Sequence, residues 1–522
     1  MDQVRQKLFD HILTRLGLLA LVSLGLGAVF QIILSIGDFL SGWLAASLLL
    51  FLSGVLIYAA WNAVGRDRML AWILILAFSL RLALGIFLAW GLPQFGYDEE
   101  PQKAGFVFED AYRRERNAWH LAKSGEPLMI AFGDAYETDQ YGGILYLSAF
   151  VYRYLSPDAF RPTLIAILSA GSITLGIPFL VAGMRRKFSK QITLGAAWFL
   201  ALYPEAILLG ASQLREPYFI LLFAVMVWAV IHILGKTNYK NAIPILFFAL
   251  GLLVLFSYRM AMSIGGVLLV WVWIELSSRI QRKWIVVAGW GAIILGAVVV
   301  VVVMKDWLDA VLFWDTLVTI RKSGRVTFHL ESLPDWMRFP FVLVYGIFQP
   351  VLPAAIAAPA PWIWRGLGIF RSVGWYVLLP LIAYGLIRVW ALEKSEKKRW
   401  LILFTIFSWI WILIASARAG GDQWDNPRYR TIFLPLMSVT AAWAINHAKK
   451  IKDRWFLRAV LIEVIFLGFF SNWYLKRYAG TPPRLEFYPM IAIILGLSAL
   501  VLGGGWLWDH HRERRQAPRD PV

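Results

Sequence analysis

The residues best suited to chemistry in this chain are carboxylates and arginines. Glu109 and Asp110 stand side by side in the stretch FEDAYRRERNAWHLAKSGEP, residues 108–127. Residues 93–141 hold ten carboxylates against five lysines or arginines, in a chain with only 33 acids. A carboxylate can take a proton from a hydroxyl, and such general-base catalysis contributes about 10²–10⁴-fold. Arg215, Arg259, Arg428 and Arg430 sit at the edges of apolar runs. A guanidinium is a planar fork that pairs with two phosphate oxygens at once. Each of these arginines also reads as a side chain snorkelling to lipid headgroups. Arg81 differs, because it lies in the middle of an apolar run. A charge there costs at least about 2.5 kcal/mol and marks a functional site or a buried ion pair.

The elements around these residues follow from spacing. Within 109–123, Ala111, Tyr112, Ala118, Trp119 and Ala122 gather on one side of a helix. Arg113, Arg114, Arg116, Asn117 and Lys123 gather on the other. This predicts an amphipathic helix lying on the membrane surface, aromatic side down. Glu109 and Asp110 fall at its start, where the helix dipole favours an anion, so N-capping is the plain alternative to catalysis.

The rest of the chain is membrane. Its 522 residues are 59% hydrophobic, with 27 Trp and 34 Phe, and the mean hydropathy is +0.63. Runs of about 20 apolar residues are long enough to cross the hydrocarbon. They are expected at 16–36, 42–60, 69–91, 163–183, 192–209, 218–234, 242–256, 261–276, 284–304, 374–390, 401–416, 431–446, 457–474 and 488–508. The expectation is an all-α polytopic membrane protein of about 14 transmembrane helices with an early external amphipathic-helix loop. The first run is too long for a cleaved signal and reads as an anchor. With no cysteine, disulfide and thiol chemistry are excluded.

The net charge of +18 gathers in short loops, RRKFSKQ (185–191), EKSEKKRW (393–400) and AKKIKDRW (448–455), and in the tail HHRERR (510–515). That is the positive-inside bias of a membrane protein rather than a nucleic-acid surface. An even span count then puts both basic termini in the cytoplasm and the segments 93–161, 305–338, 418–430 and 476–486 outside. Residues 339–361 are apolar but carry five prolines, which predicts a re-entrant or broken helix lining a cavity. Three parts are expected: a two-helix extension at 1–68, a catalytic membrane domain at 69–446, and C-terminal helices with a basic tail at 447–522.

An acidic pair, then Ala-Tyr, then a helix ending near Ser-Gly, directly after an early membrane helix, resembles the first external loop of the GT-C glycosyltransferases. The branch it is similar to contains the protein mannosyltransferases and the aminoarabinose transferase of lipid A. YGGILYLSAFVYRYLSP (141–157), YPEAILLGASQLREPYFILL (203–222) and NPRYRTIFLPL (426–436) resemble later segments of that family, in the same order. The acidic pair is reversed here, and Tyr141-Gly142-Gly143 stands where the family often has a proline-rich start.

The resemblance implies transfer of a sugar from a polyprenyl-phosphate donor to a hydroxyl of a lipid, glycan or protein acceptor, on the external or periplasmic face. It makes Asp110 or Glu109 the base and Arg215, Arg428, Arg259 and Arg430 the donor-phosphate ligands. Tyr112, Gln213, Glu216, Tyr429 and Asp139 are the further substrate-binding candidates. No particular cofactor is implied, and a divalent cation is the one candidate. Glu109, Asp110, His120, Asp134, Glu137 and Asp139 are ligands suited to a divalent cation, without a fixed-spacing motif. Two other functions stay open: an O-antigen-type polymerase or ligase, and a lipid or oligosaccharide transporter. The latter should show internal repeats with matching broken helices, and the prolines mark one break, at 339–361.

Overall fold

The computed structural model describes residues 2–133, 142–303, 333–393, 395–420, 422–479 and 485–516. Among these residues all regular structure is helical. Helices α1 (Asp2–Leu34), α2 (Phe39–Ala63) and α3 (Arg68–Phe95) come first. A short α4 (Glu100–Lys103), α5 (Glu109–Ser124) and α6 (Gly143–Leu155) follow at the end that α3 reaches. Next are α7 (Thr163–Met184), α8 (Lys190–Leu202), α9 (Pro204–Gly210), α10 (Glu216–Leu234), α11 (Tyr239–Ser277) and α12 (Lys283–Val303). The chain then runs through α13 (Asp335–Ile347), α14 (Leu352–Ala357), α15 (Trp362–Arg388), α16 (Glu396–Ala419), α17 (Asp425–Thr431), α18 (Leu434–Ile451), α19 (Arg454–Ala479) and α20 (Phe487–Gln516).

Ten of these helices are long and apolar enough to cross a membrane, or eleven if a bent pair is counted as one span. The protein is therefore a multi-pass membrane protein by the length and composition of its helices. The fourteen runs expected from sequence do not map one for one, and the reasons are local. The run 192–209 is two helices, α8 and α9, bent by 56°. Pro204 starts α9; proline suits the first position of a helix and breaks its interior. The runs 242–256 and 261–276 are the two arms of α11. That helix leaves regular geometry at Ser257 (φ −172°, ψ 104°). A straight helix of 39 residues would be about 58 Å long, yet Arg279, just past its end, reaches the Leu234 carbonyl at 3.5 Å, five residues before its start. So α11 folds back on itself. The run 431–446 is α18, nearly all of it buried among other helices.

Helices α7 and α10 form the centre and are buried along most of their length. Outer helices α1, α12, α19 and α20 present Leu, Val and Trp side chains outward, as helices facing lipid must. Ion pairs mark one end of the bundle: Asp67 with Arg185 and Lys190 at 3.0 and 2.8 Å, Lys187 with Glu396 at 2.6 Å, and Arg399 with Glu275 at 3.2 Å. Helix α3 starts at that end and leads to α5 at the other; α16 starts there and leads to α17. The proline-rich stretch packs at the α5 end. Gly346 of α13 lies against Ser416, in the last turn of α16, and Val342 lies beside Gly420 just past it. The Trp362 ring is back against Phe95, at 5.2 Å between centroids.

Arg81 is fully buried in α3, and its partners are carbonyls rather than a carboxylate. It donates to Leu200 and Ala201 at 2.9 and 3.2 Å, and to Ala77 of its own helix at 2.7 Å. Those first two oxygens are the orphan acceptors at the end of α8, where the dipole is negative. Gly210 is required beside it: a Cβ there would stand 2.5 Å from the Arg81 Cδ. Reporter fusions should place residue 125, after α5, and residue 397, at the start of α16, on opposite sides of the membrane. The same side for both would overturn this arrangement of α3 and α16.

Candidate active site

Helix α5 begins without a side-chain cap. Phe108 holds the N-cap position, Asp110 is one residue inside, and Gly125 closes the helix in the left-handed region at φ 76°, which glycine adopts at no steric cost. Arg153 of α6 donates to the last carbonyls, Leu121 at 2.5 Å and Ala122 at 3.2 Å. The buried face is Ala111, Arg114, Glu115, Ala118 and Leu121. This corrects the expected aromatic-down helix with Arg114 on its polar side. Two charges point inward because α5 is roofed against protein, α6 and the turn before α10, instead of lipid. Glu115 accepts from Ser148 at 2.9 Å and Tyr152 at 2.5 Å, and Arg114 donates to the Gln213 carbonyl. The two charges lie 3.7 Å apart. A buried charge is tolerated when paired and hydrogen-bonded in this way.

The centre of the site is Arg428, on the short helix α17. Its Nε donates to Glu216 at 2.7 Å, one terminal nitrogen donates to Asp110 at 2.7 Å, and the other lies 3.4 Å from Asp425. The guanidinium sits against the Phe108 and Tyr429 rings, 5.6 and 5.4 Å from their centroids. Arg428 and Glu216 are buried, with side chains 4% and 1% exposed, whereas the Asp110 side chain is 47% exposed. Asp110 and Asp425, the latter 42% exposed, are thus the members of this cluster that a substrate can reach. The other Asp110 oxygen accepts from the Ala111 backbone at 2.9 Å. Burial pushes its carboxyl up, but Arg428, then Arg114 and Arg215, more than offset this and hold it down at about 2. Glu216 begins α10, where the dipole favours an anion, with Arg215 at the N-cap position. One Glu216 oxygen is buried with no hydrogen-bond partner among the described residues.

The structure treats the acidic pair unequally. Glu109 is exposed and pairs with Arg113 one turn along the surface. Tyr112 packs edge-on against Phe106 and donates to Glu100 at 3.4 Å. Gln213 lends Arg114 its backbone, and Tyr429 lies under Arg418 at 4.7 Å as well as under Arg428. Arg259 lies over the Tyr258 ring, 5.5 Å from its centroid, just past the break in α11. Arg430 is buried in a second cluster, where it donates to the Gln349 carbonyl at 2.8 Å and lies 3.3 Å above the Trp375 ring. Asp139, with Asp134 and Glu137, lies outside the described residues. Among the described residues no three His, Asp or Glu side chains converge to hold a metal ion.

Sequence reasoning put Arg114 on a polar face and gave no role to several other buried charges, among them Glu115, Arg371 and Glu205. Arg371 of α15 meets Glu205 of α9 through two bonds, at 2.5 and 2.8 Å, both side chains 1% exposed. It also donates to the Trp424 carbonyl at 3.1 Å and stacks on that ring at 4.1 Å. The signal was there, since Glu205 and Arg371 are lone charges in apolar runs, which are functional or paired by default. No family model matches the chain, and neither a curated protein nor a solved structure shows a match to it.

Removing one partner of a buried pair leaves an uncompensated charge. Arg428→Met should therefore destabilise the protein by about 3–5 kcal/mol, because Glu216 stays buried without its cation. The double variant Arg428→Met/Glu216→Gln should regain most of that loss. Thermal unfolding in detergent reads both, and equal losses in the single and double variants would mean that Arg428 does not neutralise Glu216.

Proposed function

We propose that the protein is a membrane glycosyltransferase of the GT-C kind. It moves a sugar from a polyprenyl-phosphate donor to an acceptor hydroxyl of a lipid, glycan or protein, on the outer face of the membrane. The observation that carries this reading is the contact between a reachable carboxylate, Asp110, and a buried guanidinium, Arg428, at the end of a multi-pass bundle. The order of the sequence segments that resemble the GT-C family supports it.

The reaction needs a base, a cation for the departing phosphate and a place for the lipid tail. Asp110 takes the proton as the acceptor oxygen attacks the anomeric carbon. The electrons of the broken bond go to the phosphate oxygen, and Arg428 with Arg215 stabilises the charge that develops there. Glu216 and the two rings hold Arg428 in place for this task. The lipid tail lies along the apolar exterior of the helices. Glu109 has no part in the step.

A carboxylate with a pKa of about 2 is a weak base, and the donor corrects this. A phosphate on Arg428 takes over the fork that Asp110 otherwise occupies. Loss of that contact and the negative charge of the phosphate both raise the pKa of Asp110 above its value beside Arg428, which makes it a better base, while Arg114 continues to hold it down. The order of events is then fixed, with donor first and base second.

Two measurements follow. Asp110→Asn should retain donor binding and lose about 10²–10⁴-fold in turnover, while Glu109→Gln should work at nearly the wild-type rate. Wild-type turnover in the Asp110→Asn/Glu109→Gln double variant would remove this loop from the chemistry. Separately, a base is active when deprotonated, so activity falls on the acid side of its pKa. The pH profile of kcat/KM reports the free enzyme and that of kcat the donor complex. The acid limb of kcat should therefore lie at clearly higher pH than that of kcat/KM. Coincident limbs would show that the donor does not displace Arg428 from Asp110.

A further inference from the structure

A second chemistry is laid out at the opposite end of the bundle, where α10 ends, α11 returns and α16 begins. A cavity of about 420 Å³ opens there. Lys187, Lys236 and Arg279 line it, against a single acid, Glu396. Glu396 is already engaged by Lys187 at 2.6 Å, so the cavity keeps a net positive charge. The first turn of α16 forms one wall, and Ser395 caps that helix by accepting from the Lys398 backbone at 3.2 Å. A helix of 24 residues directs the positive end of its dipole to this wall. The floor is apolar: Leu234 and Trp400 are buried, with the Lys187 ammonium 5.4 Å from the Trp400 ring centre.

Cations and a helix start above an apolar floor, at the end of membrane-crossing helices, suit a phosphate anion that carries hydrocarbon. We infer that this cavity binds the phosphate of an anionic lipid headgroup. Lys236 and Arg279 contact the phosphate oxygens, and Lys187 is shared between the lipid and Glu396. The site is remote from Asp110 and Arg428 and does not depend on the function proposed for them. Inorganic phosphate has the same anionic group without the tail, and only the apolar floor separates the two.

The experiment uses the full chain purified in a zwitterionic detergent. Binding is measured by native mass spectrometry and by the rise in unfolding temperature. Three ligands are compared: short-chain phosphatidylglycerol, short-chain phosphatidylcholine and inorganic phosphate. Phosphatidylglycerol should bind and stabilise, and phosphatidylcholine should not. A stronger response to phosphatidylglycerol than to phosphate assigns the lipid, and an equal response assigns the bare anion to the same cations. Lys236→Ala and Arg279→Ala should each weaken binding by about fivefold. Arg279 also donates to the Leu234 carbonyl, so Lys236→Ala is the variant that tests charge without touching the fold. Glu396→Gln should tighten binding, because it frees Lys187 and removes the one opposing charge. Equal binding of phosphatidylglycerol and phosphatidylcholine, or Lys236→Ala and Glu396→Gln variants that both bind like wild type, would overturn the assignment.

Discussion

Arg428 is the point on which the α5 end of the molecule depends. A guanidinium cannot shed its proton, and here it is buried beneath Phe108 and beside Tyr429. It needs counter-charge, and no single element supplies enough. Glu216 comes from α10, Asp110 from α5 and Asp425 from its own helix. The position of α5 over the bundle is thus set by an electrostatic demand as much as by the contact of Ala111, Ala118 and Leu121 with their neighbours. The same demand leaves two of the three carboxylates, Asp110 and Asp425, about half-exposed, and an incoming anion can exchange with such a member at little structural cost.

Other buried charges are settled by different means, and the contrast is informative. Arg81 has no acidic partner among the described residues and is stabilised by two carbonyls at the end of α8 and one of its own helix. Arg371 and Glu205 satisfy each other through a two-point contact closed by the Trp424 ring. Glu275 accepts from Trp400 and Arg399 at 3.0 and 3.2 Å. The first two are closed by protein alone, whereas Arg399 is about half-exposed. The Arg428 cluster differs from the first two in having carboxylates open to solvent.

The membrane character, the long helices and the amphipathic α5 were legible in the sequence because hydropathy and the 3.6-residue period are strong local signals. Pro204 was legible too, but an apolar count running through it hid the break. The arms of α11 could be separated by the polar residues around Ser257. What hydropathy cannot show is who faces whom. Asp110 and Arg428 are 318 positions apart, and nothing local to Glu109 or Asp110 says which of them turns towards an arginine. The inward face of α5 was misjudged for the same reason: Arg114 is polar by type, and its burial depends on Glu115, Ser148, Tyr152 and the Gln213 backbone being near. Arg430 and Arg259 were grouped with Arg428 by their position at helix ends, and packing sends them to different places.

The break between α8 and α9 has a bearing on how matter crosses this molecule. Interrupted helices in transporters leave backbone oxygens free to receive a passing cation. Here the oxygens of Leu200 and Ala201 are occupied by the tethered side chain of Arg81, and Gly210 lets that side chain lie flush against the next segment. A travelling ion would find the seat taken by a resident that cannot leave. The interruption is a closed joint, which bends the wall of the bundle with its last carbonyls already satisfied from within.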